Sequence, residues 1–302
     1  MNPQSFHGVF TAIVTPFQKD LSIDWSAFEK LLQNQIKGGV TGIVPCGTTG
    51  ESPTLSSEEK IEVIKRTVAA AKGKCLVMAG TGSNNTQETI AFSKKACELG
   101  ADALLVVVPY YNKPSQAGLE NHFRSIADAV SKPIFLYNVP GRTITSLSAE
   151  TIGRLATHPN IIGIKEATGN LAFLTEVRNA VKLKTNKQFV YLTGDDPTLV
   201  PFLTSGGNGV ISVASNILPA EMVEICKDVV GKKYEKALET YEELHNFFNN
   251  LFIEANPVPC KAVLSWLGLC QSTVRAPLSE ISEDNSKKLK TIWEKLPARY
   301  KK

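Results

Sequence analysis

The sequence predicts an α/β protein that folds as a (β/α)8 TIM barrel with a C-terminal helical extension. Eight short runs rich in Val, Ile and Leu recur along the first 230 residues, and each is followed by a longer stretch with helical spacing of apolar residues. Eight such alternating units favour a closed parallel barrel. The alternative, an open doubly wound sheet, usually has fewer units and a Gly-rich turn after its first strand, and that turn is missing here.

The predicted elements alternate regularly along the chain. The strands are expected near residues 9–15, 42–46, 75–80, 103–108, 133–138, 161–166, 189–193 and 208–213. The helices are expected over residues 24–37, 56–71, 86–99, 115–130, 148–156, 170–183, 197–204 and 219–229. Helix-start signals support these bounds, because Ser56 stands three residues before Glu59, at capping-box spacing. Ser148 opens another helix in the same way, and Pro133 marks the start of a strand.

The strand pattern ceases after about residue 230. Residues 232–251, 257–269 and 280–296 have helical patterns only. We therefore predict a catalytic barrel domain over residues 1–230 and a helical extension over residues 231–302. The extension is expected to pack against the side of the barrel or to make subunit contacts.

Composition indicates a globular protein of ordinary type. The 302 residues include 43% hydrophobic and 21% charged residues, and 33 basic against 29 acidic residues give a net charge of +4. This small, dispersed excess gives no reason to expect nucleic acid or a membrane surface as a partner. The N-terminus shows no secretory signal, and the longest apolar run, 103–108, is too short to span a bilayer. The expected location is the cytoplasm.

Cysteine and histidine placement argues against disulfide and metal chemistry. None of the six cysteines forms a C-x-x-C pair, so free thiols in a reducing compartment are expected. The four histidines are scattered and none is paired with carboxylates at ligand spacing. We therefore predict no metal site.

Lys165 is the strongest candidate for chemistry. It lies late in the apolar strand Ile161-Ile-Gly-Ile-Lys165, and in such barrels functional groups occupy the C-terminal ends of strands. Burial disfavours an ammonium group, and a neutral amine is the nucleophile that forms a Schiff base with a carbonyl compound. The ordinary structural explanation is a lysine at the barrel mouth that pairs with Glu166 or extends to water. Glu166 is a poor partner, however, because neighbouring strand residues point to opposite faces.

The preceding strand ends in Tyr137-Asn-Val-Pro140-Gly-Arg142. A phenol one strand away from Lys165 could relay protons, and the Arg142 guanidinium could bind a substrate carboxylate. Each residue also has a plain explanation, namely a core aromatic with a satisfied hydroxyl and a solvated loop charge.

Two further loops follow strands at the same end of the predicted barrel. The segment Pro45-Cys-Gly-Thr48-Thr49-Gly-Glu-Ser52 offers hydroxyls and amides that suit a small carboxylate, or it is simply a Gly-rich turn. The segment Pro109-Tyr110-Tyr111-Asn-Lys-Pro114 carries adjacent tyrosines, which more often mark an interface than catalysis. The acidic pair Asp195–Asp196, after the seventh strand, is interpreted as structural.

Together these motifs resemble the dihydrodipicolinate synthase family, within the pyruvate-dependent class I aldolase superfamily. The likeness covers nearly the whole chain, from Thr11-Ala-Ile-Val-Thr-Pro16 to Asn256-Pro-Val-Pro259, and its combination of motifs is highly specific. The resemblance implies that Lys165 forms the Schiff base with pyruvate and that Tyr137 shuttles protons there. It implies that Thr48 links Tyr137 to Tyr111, which reaches in from a neighbouring subunit.

The same resemblance assigns the substrate-binding residues. Thr49 matches a ligand of the pyruvate carboxylate, Ile211 contributes a backbone carbonyl, and Arg142 matches the group that binds the carboxylate of L-aspartate 4-semialdehyde. The implied reaction condenses these two substrates to the cyclic product on the lysine pathway, without metal or organic cofactor. A homotetramer built from tight dimers is also implied.

Some family members are inhibited by lysine at a dimer-interface site. The positions that match this site here are Ser52, Asn84, Glu88 and Tyr110. Where lysine-sensitive enterobacterial members carry histidines, this chain has Ser57 and Lys60. A cation at Lys60 disfavours a cationic amino acid nearby, so we predict weak or absent feedback by lysine.

Two alternatives differ in function. Another pyruvate lyase, such as N-acetylneuraminate lyase or a keto-deoxy sugar acid aldolase, would share the lysine and tyrosine, but Arg142 favours a short carboxylated aldehyde over a sugar. A non-catalytic sensor of keto acids would not need all the matched catalytic positions, which are present.

Overall fold

The computed structural model describes residues 2–301 and confirms the TIM barrel. Its strands form one closed parallel sheet in which each strand pairs with the next and the eighth pairs with the first. The strands are Gly8–Ala12 (β1), Gly42–Val44 (β2), Leu76–Gly80 (β3), Ala103–Val107 (β4), Ile134–Asn138 (β5), Ile161–Glu166 (β6), Val190–Thr193 (β7) and Gly209–Ser212 (β8).

Helices surround the barrel and form the tail, the name used here for residues 231–302. Those of the barrel are Trp25–Gly38 (α1), Ser57–Ala71 (α2), Thr86–Glu98 (α3), Gln116–Ala129 (α4), Pro140–Thr143 (α5), Ala149–Ala156 (α6), Leu171–Lys184 (α7), Leu199–Thr204 (α8) and Pro219–Val230 (α9). Those of the tail are Tyr234–Asn250 (α10), Val258–Trp266 (α11) and Glu283–Lys295 (α12). None of the helices within residues 2–301 combines the length and apolarity needed to cross a membrane.

The predicted strands all occur, and β1, β2, β4 and β8 end one to three residues earlier than expected. β2 stops at Val44 because the chain turns through Cys46, whose φ is +56°. The short helix α5 was not predicted, so Arg142 lies on a helical turn rather than in an open loop. The capping box is confirmed, since Ser56 and Glu59 bond to each other's backbone N–H groups.

The core has two layers, one inside the barrel and one between the strands and the helices. In β5, Phe135 and Tyr137 point inward, while Ile134 and Leu136 pack toward the helices. Phe6, ahead of β1, packs on Phe135 with ring centroids 5.1 Å apart and belongs to the buried inner layer. The barrel interior is therefore a packed core, and open space is confined to its mouth.

The tail does more than cover the side of the barrel. α10 packs against α9, but the segment before α11 reaches the mouth of the barrel, where Asn256 is buried. Lys261 of α11 is also completely buried and pairs with Glu51 in the loop after β2. The tail thus completes the end of the barrel at which functional groups are expected.

Candidate active site

Lys165 faces the barrel interior from β6. Its Cα lies opposite Tyr137 of β5 and Leu192 of β7, and both of these side chains belong to the inner layer. The residue is 6% exposed, and its Nζ lies 4.3 Å from the centroid of the Tyr137 ring. Among residues 2–301, no carboxylate lies within 4.0 Å of this amine and no hydrogen bond is made to it. An amine held in this way is accessible to a carbonyl compound.

Gly194, at the end of β7, makes room for the Lys165 side chain. A Cβ on this glycine would lie 2.6 Å from Cε of Lys165 and 2.7 Å from Cβ of Ala167. Any larger residue would therefore displace the amine. This requirement is steric, so it does not stand out in the sequence.

Glu166 does not pair with Lys165, as expected from strand alternation. Its carboxylate accepts hydrogen bonds from the backbone and the hydroxyl of Thr168 and from Nδ2 of Asn138. Burial raises the pKa of this carboxyl, and the bonds from Thr168 and Asn138 oppose the rise. Glu166 therefore fixes the end of β6 from the outer side.

Tyr137 and Thr48 come together above the amine. The hydroxyl of Tyr137 lies 3.5 Å from Oγ1 of Thr48, and either group can be the donor. Tyr137 is only 7% exposed, so its hydroxyl is partly shielded from bulk water. The phenol therefore lies in the same pocket as the amine, and its hydroxyl is paired with that of Thr48.

A cavity of about 530 Å³ opens beside this pair. Its lining includes five of the predicted site residues, namely Thr48, Thr49, Tyr137, Arg142 and Lys165. Oγ1 of Thr49 accepts a hydrogen bond from Nδ2 of Asn256 at 2.9 Å, and the guanidinium of Arg142 donates to the backbone oxygen of Asn256 at 3.5 Å. The amine, the phenol, two hydroxyls and a cation therefore surround one space.

Ile211 and Tyr111 are not part of this cavity lining. Ile211 is a buried residue of β8 in the inner layer, and the role expected for its carbonyl stays a prediction. Tyr111 is 94% exposed with φ of +72°, so its side chain projects into solvent from the surface of the chain. Its contribution to a neighbouring site also stays a prediction.

A second cavity, of about 290 Å³, lies on the other side of Tyr137. It is lined by Ser52, Lys60 and Tyr110, together with Thr48 and Arg142. Asn84 adjoins it, because its Nδ2 donates to the backbone oxygen of Tyr110 at 3.2 Å.

Glu88 and Ser57 are close in sequence to residues of this second cavity, but they do not line it. Ser57 is the exposed first residue of α2, and Glu88 stands in the first turn of α3. Lys60 is therefore the residue of this group that brings a charge to the cavity wall.

The acidic pair after β7 divides into two roles. Oδ2 of Asp196 accepts the N–H groups of Val213 and Ala214, both at 2.9 Å, which fits the structural interpretation. Burial raises the pKa of Asp196 to about 6. Asp195, in contrast, lines the cavity that holds Lys165, so interpreting it as purely structural was incomplete.

Sequence reasoning missed the contribution of the tail. Asn256 was noticed only as part of a matching motif, and Lys261 was not singled out, although it stands in the apolar run Val258-Pro-Cys-Lys261-Ala-Val-Leu. A lysine in an apolar stretch is the same signal that identified Lys165. It was available and could have found Lys261.

Comparison with known proteins agrees with this geometry. The model of the dihydrodipicolinate synthetase family matches residues 5–296. A 4-hydroxy-tetrahydrodipicolinate synthase from Leptospira biflexa is 48% identical over 92% of this chain and 93% of that protein. One from Bdellovibrio bacteriovorus is 48% identical over 97% of this chain and 99% of its own length.

A solved structure gives the same result. The chloride-inhibited dihydrodipicolinate synthase from Acinetobacter baumannii, complexed with pyruvate, superposes with a TM-score of 0.92 at 42% identity, covering 95% of this chain and 98% of that one. Family model, sequence relatives and fold therefore agree over nearly the entire length. The chain belongs to the dihydrodipicolinate synthetase family.

Proposed function

We propose that this protein condenses pyruvate with L-aspartate 4-semialdehyde, the reaction of a 4-hydroxy-tetrahydrodipicolinate synthase in lysine biosynthesis. The observation that carries the proposal is the buried amine of Lys165, which has no carboxylate partner in the part of the chain that the structure describes and shares one cavity with Tyr137 and Thr48. Relatives at 48% identity that bear this name support it. The pyruvate complex of the Acinetobacter baumannii structure supports the first substrate.

Lys165 acts first, as the nucleophile. Its amine adds to the ketone carbon of pyruvate, and loss of water leaves an imine between Nζ and that carbon. Protonation of the imine makes the neighbouring methyl group acidic, so a proton leaves and an enamine forms. The enamine carbon then attacks the aldehyde carbon of the second substrate, which creates the new carbon–carbon bond.

Tyr137 carries the protons that these steps require. Its hydroxyl can donate a proton to the departing water and take it back from Thr48, which lies 3.5 Å away. The Tyr111 hydroxyl of the partner subunit would connect Thr48 to solvent. In the last step the substrate's own amine attacks the imine carbon, which closes the ring and releases Lys165.

Thr49 and Arg142 recognise the two carboxylates. A hydroxyl donor suits the carboxylate of pyruvate close to Lys165, and a guanidinium suits the carboxylate of the longer aldehyde. The carbonyl oxygen of Ile211 would lie near the reacting centre. We propose that no metal or organic cofactor takes part, because a protonated imine already provides the electron sink that the reaction needs.

We also propose a homotetramer of tight dimers that works in the cytoplasm. The 94% exposure and positive φ of Tyr111 fit a side chain held for a neighbouring subunit. All six cysteines are free thiols, as in proteins of a reducing compartment. Sedimentation velocity would test the assembly, and a catalytically active monomer would refute this part of the proposal.

The activity is tested by a coupled assay with pyruvate and L-aspartate 4-semialdehyde, repeated with Lys165→Ala and Tyr137→Phe. We expect Lys165→Ala to abolish turnover and Tyr137→Phe to lower kcat by about a hundredfold or more, since it removes a positioned proton donor. Borohydride added with pyruvate should leave a reduced adduct on Lys165, located by peptide mapping. The exposed lysine of the Lys287–Glu283 surface pair gives a control variant, Lys287→Ala, which should keep full activity.

Activity that survives Lys165→Ala would refute the proposed function. A borohydride adduct without turnover of L-aspartate 4-semialdehyde, but with cleavage of N-acetylneuraminate or a keto-deoxy sugar acid, would favour the alternative lyases. Absence of any adduct would favour a non-catalytic keto-acid sensor.

A further inference from the structure

We propose that Asn256 is a positioning residue that turns the hydroxyl of Thr49 toward the carboxylate of pyruvate. The proposal rests on the proposed function, because it takes Thr49 as the ligand of that carboxylate. It extends that function by giving a residue of the tail a part in substrate recognition.

The hydrogen-bond polarity of Thr49 is the central observation. A threonine hydroxyl has one hydrogen to donate and lone pairs to accept with. Nδ2 of Asn256 is a donor and occupies a lone pair of Oγ1 at 2.9 Å. The single hydrogen of Thr49 is therefore left for another acceptor, and an anionic carboxylate in the adjoining cavity is such an acceptor.

The amide oxygen of Asn256 indicates that this residue serves the active site rather than the stability of the fold. Asn256 is 6% exposed, and its Oδ1 is buried without a hydrogen-bond partner among residues 2–301. A buried acceptor without a donor weakens folding, and such exceptions concentrate where a residue serves a function. The donor side of the amide is the side that the structure uses.

The backbone of Asn256 contacts the second carboxylate-binding residue. Its carbonyl oxygen accepts a hydrogen bond from Nη2 of Arg142 at 3.5 Å. One tail residue thus touches both Thr49, through its side chain, and Arg142, through its main chain. Substitution of the side chain should therefore affect pyruvate and leave recognition of the aldehyde nearly unchanged.

The position of Asn256 is itself fixed by a buried ion pair. Lys261, five residues later, pairs with Glu51, which stands two residues after Thr49. Nζ of Lys261 also donates to the backbone oxygen of Thr273 at 2.9 Å. The loop that carries Thr49 and the tail segment that carries Asn256 are therefore held together at two points.

Steady-state kinetics with Asn256→Ala and Asn256→Asp test the proposal. Loss of the orienting bond in Asn256→Ala should raise KM for pyruvate about tenfold, with kcat and KM for the aldehyde within about threefold of wild type. Asn256→Asp keeps the size and shape of the side chain. Its carboxylate would accept the hydrogen of Thr49 and repel pyruvate, so KM for pyruvate should rise about a hundredfold.

The pH dependence of KM for pyruvate distinguishes a loss of the donor at residue 256 from a change in packing. Protonation of the introduced aspartate restores a donor toward Thr49, so KM for pyruvate in Asn256→Asp should fall toward the wild-type value as pH is lowered. The matched control is Asn249→Ala. Asn249 is an exposed asparagine of the same tail whose side chain donates a hydrogen bond to the backbone oxygen of His245, and its loss should leave both KM values unchanged.

Pyruvate saturation of borohydride trapping provides a measure of binding that does not depend on turnover. If wild type traps pyruvate on Lys165 and both Asn256 variants keep its KM within about twofold, the inference about Asn256 is wrong while the proposed function stands. If wild type traps no pyruvate, the proposed function fails first. If Asn256→Asp does not fold, Asn256→Ala decides, since a purely structural role would lower its melting temperature and leave pyruvate saturation unchanged.

Discussion

Replacement of Lys261 by methionine is expected to destabilise the protein strongly, although the two side chains are similar in length and the residue is far from solvent. The side chain of Lys261 is 0% exposed and that of its partner Glu51 is 1% exposed. Nζ of Lys261 also lies 4.1 Å from the ring centroid of Phe17. Burial lowers the pKa of the Lys261 ammonium, and the carboxylate of Glu51 opposes that shift.

The expected magnitude follows from what the substitution leaves behind. In Lys261→Met the carboxylate of Glu51 stays buried and keeps only the backbone N–H of Arg275, at 3.0 Å, from its present partners. Removing one member of a buried ion pair costs about 3–5 kcal/mol, because the other charge is left uncompensated. The backbone oxygen of Thr273 also loses its donor, which adds to the cost.

Thermal denaturation at fixed protein concentration measures this loss. For a chain of this size, each kcal/mol lowers the melting temperature by about 2–4 °C, so we expect a decrease of roughly 10 °C. The matched control is Lys287→Met, which breaks an exposed pair between Lys287 and Glu283 with side chains 68% and 81% exposed. That change should cost less than about 1 kcal/mol.

A second variant isolates the charge. If the uncompensated carboxylate is the cause, Glu51→Gln combined with Lys261→Met should be more stable than Lys261→Met alone. A decrease in Lys261→Met that is no larger than in Lys287→Met would refute the reasoning. So would a double variant that is less stable than the single one.

Three further predictions concern pH and lysine. His122 is buried against Thr86, and burial lowers its pKa from 6.5 to about 4. Folding therefore favours the neutral ring, and this contribution to stability is lost as pH falls from 6.5 to 4. Between pH 7 and pH 4, the free energy of unfolding of His122→Asn should rise by about 3 kcal/mol relative to that of wild type, as measured by denaturant titration. The shift at Asp196 has the opposite effect, because its raised pKa means that protonation stabilises the fold. As pH falls from 7 to 4, the free energy of unfolding of Asp196→Asn should therefore fall by about 2 kcal/mol relative to that of wild type. An unchanged difference between variant and wild type would contradict either account. Lysine at submillimolar concentration should leave turnover nearly unaffected, because the cation of Lys60 lines the second cavity. Lys60→His should increase inhibition by lysine. Strong inhibition of the wild type would contradict this prediction.

The barrel was predictable because its signals are local and repeated. Each strand is a short apolar run, and each helix has its own apolar spacing, so all eight units were found. The bounds differ from the prediction where a turn depends on backbone conformation. Cys46 adopts a positive φ that ends β2 early, and a cysteine gives no sign of this in the sequence.

The active site was predictable to the extent that it follows the barrel. Once Lys165 and Tyr137 are placed at the ends of neighbouring strands, parallel register brings them face to face, as the structure shows. Thr48 follows from the same rule, because it lies in the loop after β2. Asn256 does not, since it is 207 residues from Thr49, and no periodic pattern relates a helical tail to the mouth of a barrel.

The two buried lysines look alike in the sequence, and only the structure distinguishes their roles. Lys165 and Lys261 both stand in apolar runs, so the sequence marks both as unusual and cannot separate them. The structure separates them by their partners within residues 2–301. Lys261 has a carboxylate and a carbonyl oxygen, whereas Lys165 has only the face of an aromatic ring. The Lys261 amine is held by its two acceptors, whereas no anion restrains the Lys165 amine from attack on a carbonyl carbon. The buried lysine that lacks a carboxylate is therefore the one expected to react, and the paired one holds the tail against the loop that serves it.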